Sequence, residues 1–225
     1  MITVHHLEKS RSQRVLWLLE ELGVTYEIKR YARDPKTLLA PASLKAVHPL
    51  GKSPVITDDG ITVAESAAIL EYLAERYAPA AGQGALMPET GAPGHLEYRY
   101  WMHYAEGSLM PPLVMKLVFM TIPTQPMPFF VRPIARELSK RVQQVFIDPN
   151  LLNHLQFMEA HLSRHAWFAG DAMTLADVQM SFPVLAALSR QSRGQAWPHL
   201  RAFMDKVEAR PAYQRALAKG GPVLL

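Results

Sequence analysis

ITVHHLEKSRSQRVLWLLEELG, residues 2–23, decides the fold. Ile2 to His6 reads as a short strand. Ser10 to Leu22 reads as a helix whose Val15, Leu16, Leu18, Leu19 and Leu22 follow the three-to-four spacing of a buried stripe. Gly23 stands where a helix ends on a residue free to take positive φ. Between strand and helix lies Ser10-Arg11-Ser12-Gln13-Arg14. A helix opening there gathers free backbone N–H groups and the positive end of its dipole, so an anion is favoured. A serine hydroxyl at that point can donate to the anion, but it suits the plainer task of capping the helix equally.

Outward from this unit, Tyr26 to Tyr31 alternates like a second strand. Ser53–Thr57 and Ile61–Val63 form two more, joined by Asp58-Asp59-Gly60, a hairpin signal. A helix follows from Ser66 to Tyr77, with Ile69, Leu70, Leu73 and Tyr77 on one side. The order is β-α-β, a loop with room for one short helix, then β-β-α. It predicts an α/β domain with a small mixed sheet, parallel strands first and a hairpin last.

From Ala78 to Gly94 alanine, glycine and proline dominate and no apolar period survives. The predicted organisation is an α/β domain over 1–78, a linker over 79–94 and an all-helical domain over 95–225. His95–Met120 reads as a long helix that Pro111 and Pro112 should kink or break. Thr121–Pro128 reads as a loop. Pro133–Ile147, Asn150–Arg164, Thr174–Ser189 and Pro198–Arg210 read as further helices. Thr174-Leu175-Ala176-Asp177 is a capping-box pattern with Asp in place of Glu, a structural feature.

Composition removes several functions. Nearly half of the 225 residues are hydrophobic, enough for a sizeable core. The net charge of +4 is spread in short groups, which argues against a nucleic-acid partner. There is no cysteine, so disulfides, thiolate metal sites and a cysteine nucleophile are excluded. Any thiol chemistry must use a thiol carried by a small molecule. The N-terminus lacks the pattern of a secretory signal, and no apolar run of membrane-spanning length is expected, so the expected place is the cytoplasm. His161 and His165 lie four apart, a spacing metals can use, but no third ligand completes a set, and no metal is expected. His5, His6, His95, His103, His154 and His199 form no pattern.

Two further segments suit a ligand. In Leu50-Gly51-Lys52-Ser53-Pro54-Val55-Ile56 a proline opens a buried strand. A cis Ser53–Pro54 bond would expose the Ser53 backbone for pairing with an extended peptide, and an ordinary trans bond is the alternative. Glu65-Ser66 opens the next helix and suits a carboxylate, or simply caps it. Met110, Met115, Phe119, Met120, Met127, Phe129 and Phe130 cluster around the proline-rich loop, as core or as a pocket for apolar partners.

The order of these segments resembles the soluble glutathione transferases, over essentially the full chain. The likeness is strongest to a bacterial and fungal branch with SRS-x-R followed by LWLLEELG. It is carried by Ser10 to Arg14, Trp17 to Gly23, His48 to Pro54 and Ala64 to Ser66. Glu106 to Pro112 and Ser181-Phe182-Pro183 extend it into the helical half. The resemblance implies a thioredoxin-like N-terminal domain and an all-α C-terminal domain. It implies Ser10 beside the glutathione sulfur, with Ser12 as the neighbouring alternative. Arg14, one helical turn on, either supports the site or packs. Lys52 would meet the glycine end of glutathione, and the Ser53 backbone its cysteinyl unit, with Pro54 cis. Glu65 and Ser66 would hold the γ-glutamyl end. The electrophile pocket would involve Tyr104, Met110, Met115 and Phe119. The implied activity is conjugation of glutathione to small apolar electrophiles, or reduction of organic hydroperoxides, with glutathione as co-substrate and no further cofactor. A two-fold dimer is implied, formed around Tyr98 to Tyr104. The rival reading is a non-enzymatic binding or stress-regulatory protein on the same fold.

Overall fold

The computed structural model describes residues 1–35, 37, 39–81, 86–190 and 196–223. The sheet has four strands in the order β2-β1-β3-β4. These are β1 (Ile2–Leu7), β2 (Tyr26–Tyr31), β3 (Val55–Asp58) and β4 (Ile61–Ala64). β1 runs parallel to β2, with Ile2 opposite Tyr26, and antiparallel to β3, with Ile2 opposite Asp58. Asp58 pairs with Ile61, so Asp59-Gly60 is the whole hairpin loop, where predicted. With α1 (Gln13–Leu22), the short α2 (Ala42–Lys45) and α3 (Ser66–Ala81), this is a thioredoxin-like domain.

The first helix starts three residues later than its periodicity predicts. The N–H groups of Gln13 and Arg14 turn back onto the carbonyls of Ser10 and Arg11, at 3.4 and 3.2 Å. Residues 10–12 are therefore a turn, and the N–H groups expected to be free are partly engaged. Gly23 ends α1 at φ 63° as predicted. The predicted one-sided stripe is corrected, because Trp17 and Glu20 on the other side are buried too. α1 is packed by α3, by α8 (Leu175–Ser189) and by α10 (Pro211–Gly220). The sequence reading ended its helices at Arg210 and missed α10. This helix docks through Tyr213, whose ring meets Trp17 edge-on at 5.3 Å. It also docks through Arg215 and Lys219, which reach Glu20. Burial alone would raise the Glu20 carboxyl, but Lys219, Tyr26 and Arg215 outweigh it and hold it at about 2.

The predicted linker boundary shifts. α3 continues to Ala81, past Pro79, which removes one backbone donor from its last turn. Part of the expected linker, residues 82–85, lies outside the described residues. Its remainder is anchored: the Leu86 carbonyl accepts the Leu175 N–H at 2.9 Å. Gly94 starts α4 (His95–Tyr104) at φ 80°, where a Cβ would stand 2.5 Å from the Ala169 carbonyl oxygen.

Pro111 and Pro112 do not break the long helix. A wider, π-type turn over Ala105–Leu109 precedes α5 (Met110–Thr121) and absorbs the hydrogen bonds the prolines cannot make. The same device over Gln143–Ile147 precedes Pro149 and merges two predicted helices. They become one run of α6 (Arg132–Val142) and α7 (Asp148–Leu162). The predicted loop at Thr121 likewise begins later, after a 3₁₀ turn over Ile122–Thr124. The continuous run His95–Thr124 is, by length and composition, apolar enough to cross a membrane, which the sequence reading did not expect. Its Trp101, Ala105, Leu109 and Leu113 are buried in the core, and its Glu106 pairs with two arginines of the first domain. α9 (Pro198–Glu208) completes the helical domain. The main apolar cluster runs from Ile2 to Ala216 and is shared by both domains, and Leu7, Tyr31 and Leu44 form a small second one.

At the start of α8 the capping box forms as predicted. Asp177 accepts the N–H groups of Thr174 and Phe168, each at 2.8 Å. Burial raises its carboxyl to about 6, against the pull of those donors. A folded-state value above the unfolded 3.8 favours the folded form at low pH. That contribution is full below about pH 4 and is lost as pH rises through about 6. Asp177→Ala should lower stability by about 0.5–2 kcal/mol, the usual cost of a lost cap. In paired thermal melts against Asp177→Asn, the parent's relative advantage should shrink between pH 4 and pH 7 and then level off.

Candidate functional site

The sheet and α1 place the serine turn. Alternation along β1 points Ile2, Val4 and His6 to the face that α1 covers. Ser10 and Ser12 hang over that face. Ser10 Oγ lies 2.7 Å from Ser12 Oγ, and Ser12 Oγ lies 2.8 Å from His6 Nδ1. Ser12 makes no side-chain cap to α1, contrary to the capping alternative. Ser12 is completely buried, whereas Ser10 keeps 6% of its surface. His6, which the sequence places in no pattern with the other histidines, is part of this row. Its partner on the other side is the Gly220 carbonyl, 2.9 Å from Nε2. Strand parity with Val4 was the available signal, but the partner lies 214 residues away.

The Ser53–Pro54 peptide bond is cis, as the resemblance implied. The Ser53 hydroxyl donates to the His5 carbonyl at 3.0 Å and accepts the Leu7 N–H at 3.3 Å. It thereby ties this turn to the end of β1, beside the serine turn. Lys52 is exposed and Pro54 is buried. Glu65 is exposed and held in the left-handed region at φ 73°, a strain typical of ligand-binding positions. Ser66 follows it, buried at the start of α3.

Arg14 joins these pieces. Its side chain is buried, and its guanidinium donates to Ser66 Oγ at 2.9 Å, to Glu106 at 2.6 Å and to the Gln179 carbonyl at 2.7 Å. Burial lowers its pKa, opposed by Glu106. Arg11 also pairs with Glu106, at 2.7 Å. Arg14 is packed in the interior, and its bond to Ser66 ties the first turn of α1 to the start of α3.

Of the four residues expected to share a pocket, two line separate cavities among the described residues. Tyr104 lines a cavity of about 580 Å³ with Tyr100, His103, Gly107 and Ser108. Phe119 lines a second of about 440 Å³, between α5 and α6, with Met120 and Lys140. Met110 is core, and Met115 is half-buried against it. The Tyr104 hydroxyl is bonded to His154 on α7, and burial raises it above its ordinary value. Of the face expected to pair two subunits, Tyr98 and Tyr104 are buried within the chain. His161 is half-buried, tilted against Trp101 and stacked on His165. Among the described residues no three metal-ligating side chains come together.

A thioredoxin-like sheet whose serine turn leans on an all-helical domain is the architecture of a glutathione transferase. The comparisons agree. Residues 10–76 match the family model of the glutathione S-transferase N-terminal domain, and residues 112–211 that of the C-terminal domain. Glutathione S-transferase 3 of Schizosaccharomyces pombe is 38% identical over 97% of this chain and 88% of its own. Glutathione S-transferase 1 of Saccharomyces cerevisiae is 30% identical over 97% and 95%. The crystal structure of a glutathione S-transferase from Actinobacillus pleuropneumoniae superposes with a TM-score of 0.74. It is 30% identical, over 98% of this chain and 93% of that one. The chain belongs to the glutathione S-transferase family and is an enzyme, a transferase.

The Arg14 cluster yields a stability prediction. Glu106→Ala strands a buried guanidinium and should cost about 2–3 kcal/mol, the lower side of the usual range because Glu106 is partly exposed. Adding Arg14→Met to that variant should recover part of the loss, since the uncompensated charge goes with it. Denaturant unfolding of the parent and the two variants measures both effects.

Proposed function

We propose that the enzyme binds glutathione along the serine turn, the Ser53–Pro54 turn and the start of α3, and transfers its thiolate to an electrophilic carbon. Ser10 is the thiolate donor. The observation that carries this is the difference between the two serines. Ser12 is sealed and engaged with His6, while Ser10 stands at the outer end of the row. Lys52 meets the glycine carboxylate, and the Ser53 backbone pairs with the cysteinyl unit. Glu65 and Ser66 hold the γ-glutamyl end. Ser66 accepts a bond from Arg14, which leaves its own proton for the ligand carboxylate.

The electrophile takes the cavity beside Tyr104. Its Gly107–Ser108 wall follows directly on Glu106, which reaches Arg11 next to Ser10. Phe119 borders a separate cavity, and Met110 and Met115 support the core beneath. The same thiolate would reduce an organic hydroperoxide by attack on its terminal oxygen, breaking the O–O bond to give a glutathione sulfenic acid and an alkoxide that leaves as the alcohol; condensation with a second thiol then gives the disulfide and water. With no cysteine in the chain, a second glutathione would resolve the product. The reaction needs no further cofactor. The subunits pair about a two-fold axis through α4 and α5, near exposed Leu96, Tyr100, Val114 and Val118, so that the cavity beside Tyr104 opens into the cleft between them. A reducing compartment, the cytoplasm, suits this chemistry.

A free thiol has a pKa near 8.5, and one hydrogen bond to a charged group contributes about 1.5–3 kcal/mol. Ser10→Ala should therefore raise the bound thiol pKa by roughly one to two units and lower turnover at pH 6.5 about ten- to a hundredfold. Glutathione affinity should change little. A thiolate absorbance titration that overlays the parent's, with normal turnover, would remove Ser10 from the mechanism.

Ser66→Ala should act differently. Its contact is equal in ground and transition states, so KM for glutathione rises while kcat is nearly kept. Steady-state kinetics with a chloronitrobenzene acceptor separates the two, and a loss confined to kcat would contradict the placement.

A further inference from the structure

The row Ser10–Ser12–His6 has a direction that its partners fix. His6 Nε2 lies against the Gly220 carbonyl, and a carbonyl only accepts, so Nε2 carries the ring proton. In the neutral ring Nδ1 is then an acceptor. Ser12 must donate to it across 2.8 Å, and Ser10 must donate to Ser12 across 2.7 Å. Every hydroxyl proton points inward, and Ser10 Oγ, which also accepts the Ser12 N–H at 3.3 Å, keeps one lone pair for a ligand. In this state Ser10 can receive a proton from a thiol but can donate to a thiolate only by abandoning Ser12.

We propose that this row is a proton wire and that His6 accepts the proton of the glutathione thiol. The proposal rests on Ser10 standing beside the sulfur. In the step, the S–H bond breaks and its proton joins Ser10 Oγ. The original Ser10 proton passes to Ser12 Oγ, and that of Ser12 passes to His6 Nδ1. The products are a thiolate and an imidazolium, and each serine again holds one proton. Every hydrogen bond survives with its direction reversed. His6 now donates to Ser12, Ser12 to Ser10, and Ser10 to the thiolate. The donor that stabilises the anion is created by the transfer that forms it.

The surroundings suit a charge that exists only with the thiolate. Burial holds His6 neutral at rest, and Arg30 on the neighbouring β2 adds to this. The Gly220 carbonyl and Glu8 pull the other way. Gly220 ends α10, where the helix dipole is negative and favours a cation. Arg30 itself is bonded to the adjacent Lys219 carbonyl. The remaining compensation is the thiolate at the far end of the wire, so the two groups titrate as a coupled pair.

The test is a proton inventory. Thiolate formed on saturation with glutathione at pH 7 is read by ultraviolet difference absorbance. Protons released are read by calorimetry in two buffers of different ionisation heat, with S-methylglutathione, which has no thiol proton, as baseline. The parent should release far fewer protons than it forms thiolates, because His6 keeps them. His6→Asn retains an acceptor for Ser12 but cannot take a proton, and Ser12→Ala cuts the wire with His6 in place. In both, each remaining thiolate should cost one released proton, and the bound thiol pKa should rise toward the free value. If His6→Asn does not fold, the parent inventory and Ser12→Ala decide. One proton released per thiolate in the parent overturns the wire, as does a retained proton in both variants. Ser10→Ala separates the two readings. If it shifts the thiolate titration while the parent releases one proton per thiolate, only the wire falls. If it overlays the parent, the Ser10 assignment falls with it.

Discussion

A guanidinium placed where water cannot reach it must be answered on every side, and Arg14 is so placed. Its donors go to Ser66 at the start of α3, to Glu106 in the wide turn between α4 and α5, and to the Gln179 carbonyl in α8. The ring of Phe182 covers it at 5.6 Å. Desolvating that ion is costly unless all of these groups stand in register. The first turn of α1 therefore has one position relative to α3 and to the helical domain. Ser10 and Ser12 immediately precede that turn, and Ser66 is one of the partners. Both halves of the proposed glutathione site are thus fixed by the same buried charge.

The other end of α1 is held just as firmly. Glu21 receives Arg210, and Glu20 receives Arg215 and Lys219 from α10. These pairs are partly exposed and individually weak. What they add is orientation, because Tyr213 buries its ring against Trp17 between them. α1 is accordingly a strut common to both domains. The division into an α/β and a helical part is one of topology, while the main apolar core is continuous.

Features written in short spans were legible in the sequence. The strand-turn-helix of residues 2–23, the Asp59-Gly60 hairpin and the Thr174/Asp177 cap each depend on neighbours within a few residues. The helix ends at Pro79, Pro111 and Pro149 were misjudged for a shared reason. A proline removes one donor, and whether the chain stops or widens its turn depends on what packs around it. α10 has a good apolar face, but its role comes from Glu20 and His6, near the other end of the chain. The electrophile pocket was the least legible. Tyr104 and Phe119 lie fifteen residues apart in one helical run, yet they face different cavities.

The helix that sequence reading missed is the one that reaches the chemistry. Its last carbonyls accept from Arg30 and His6, so the C-terminal end of α10 closes on the inner end of the serine row. A carbonyl at that place does two things at once. It fixes the tautomer of His6, which sets the direction of every proton between the ring and Ser10. It also supplies negative potential where a cation must appear if the thiol is to lose its proton inward. Arg14 and α10 act on the same turn from opposite sides, one fixing where the serines stand and the other which way they donate. A hydroxyl is a weak acid and a weak base, so its usefulness next to a thiolate depends almost entirely on such orientation. In the proposed site, in a chain with no cysteine, that orientation falls to two serines and a buried histidine.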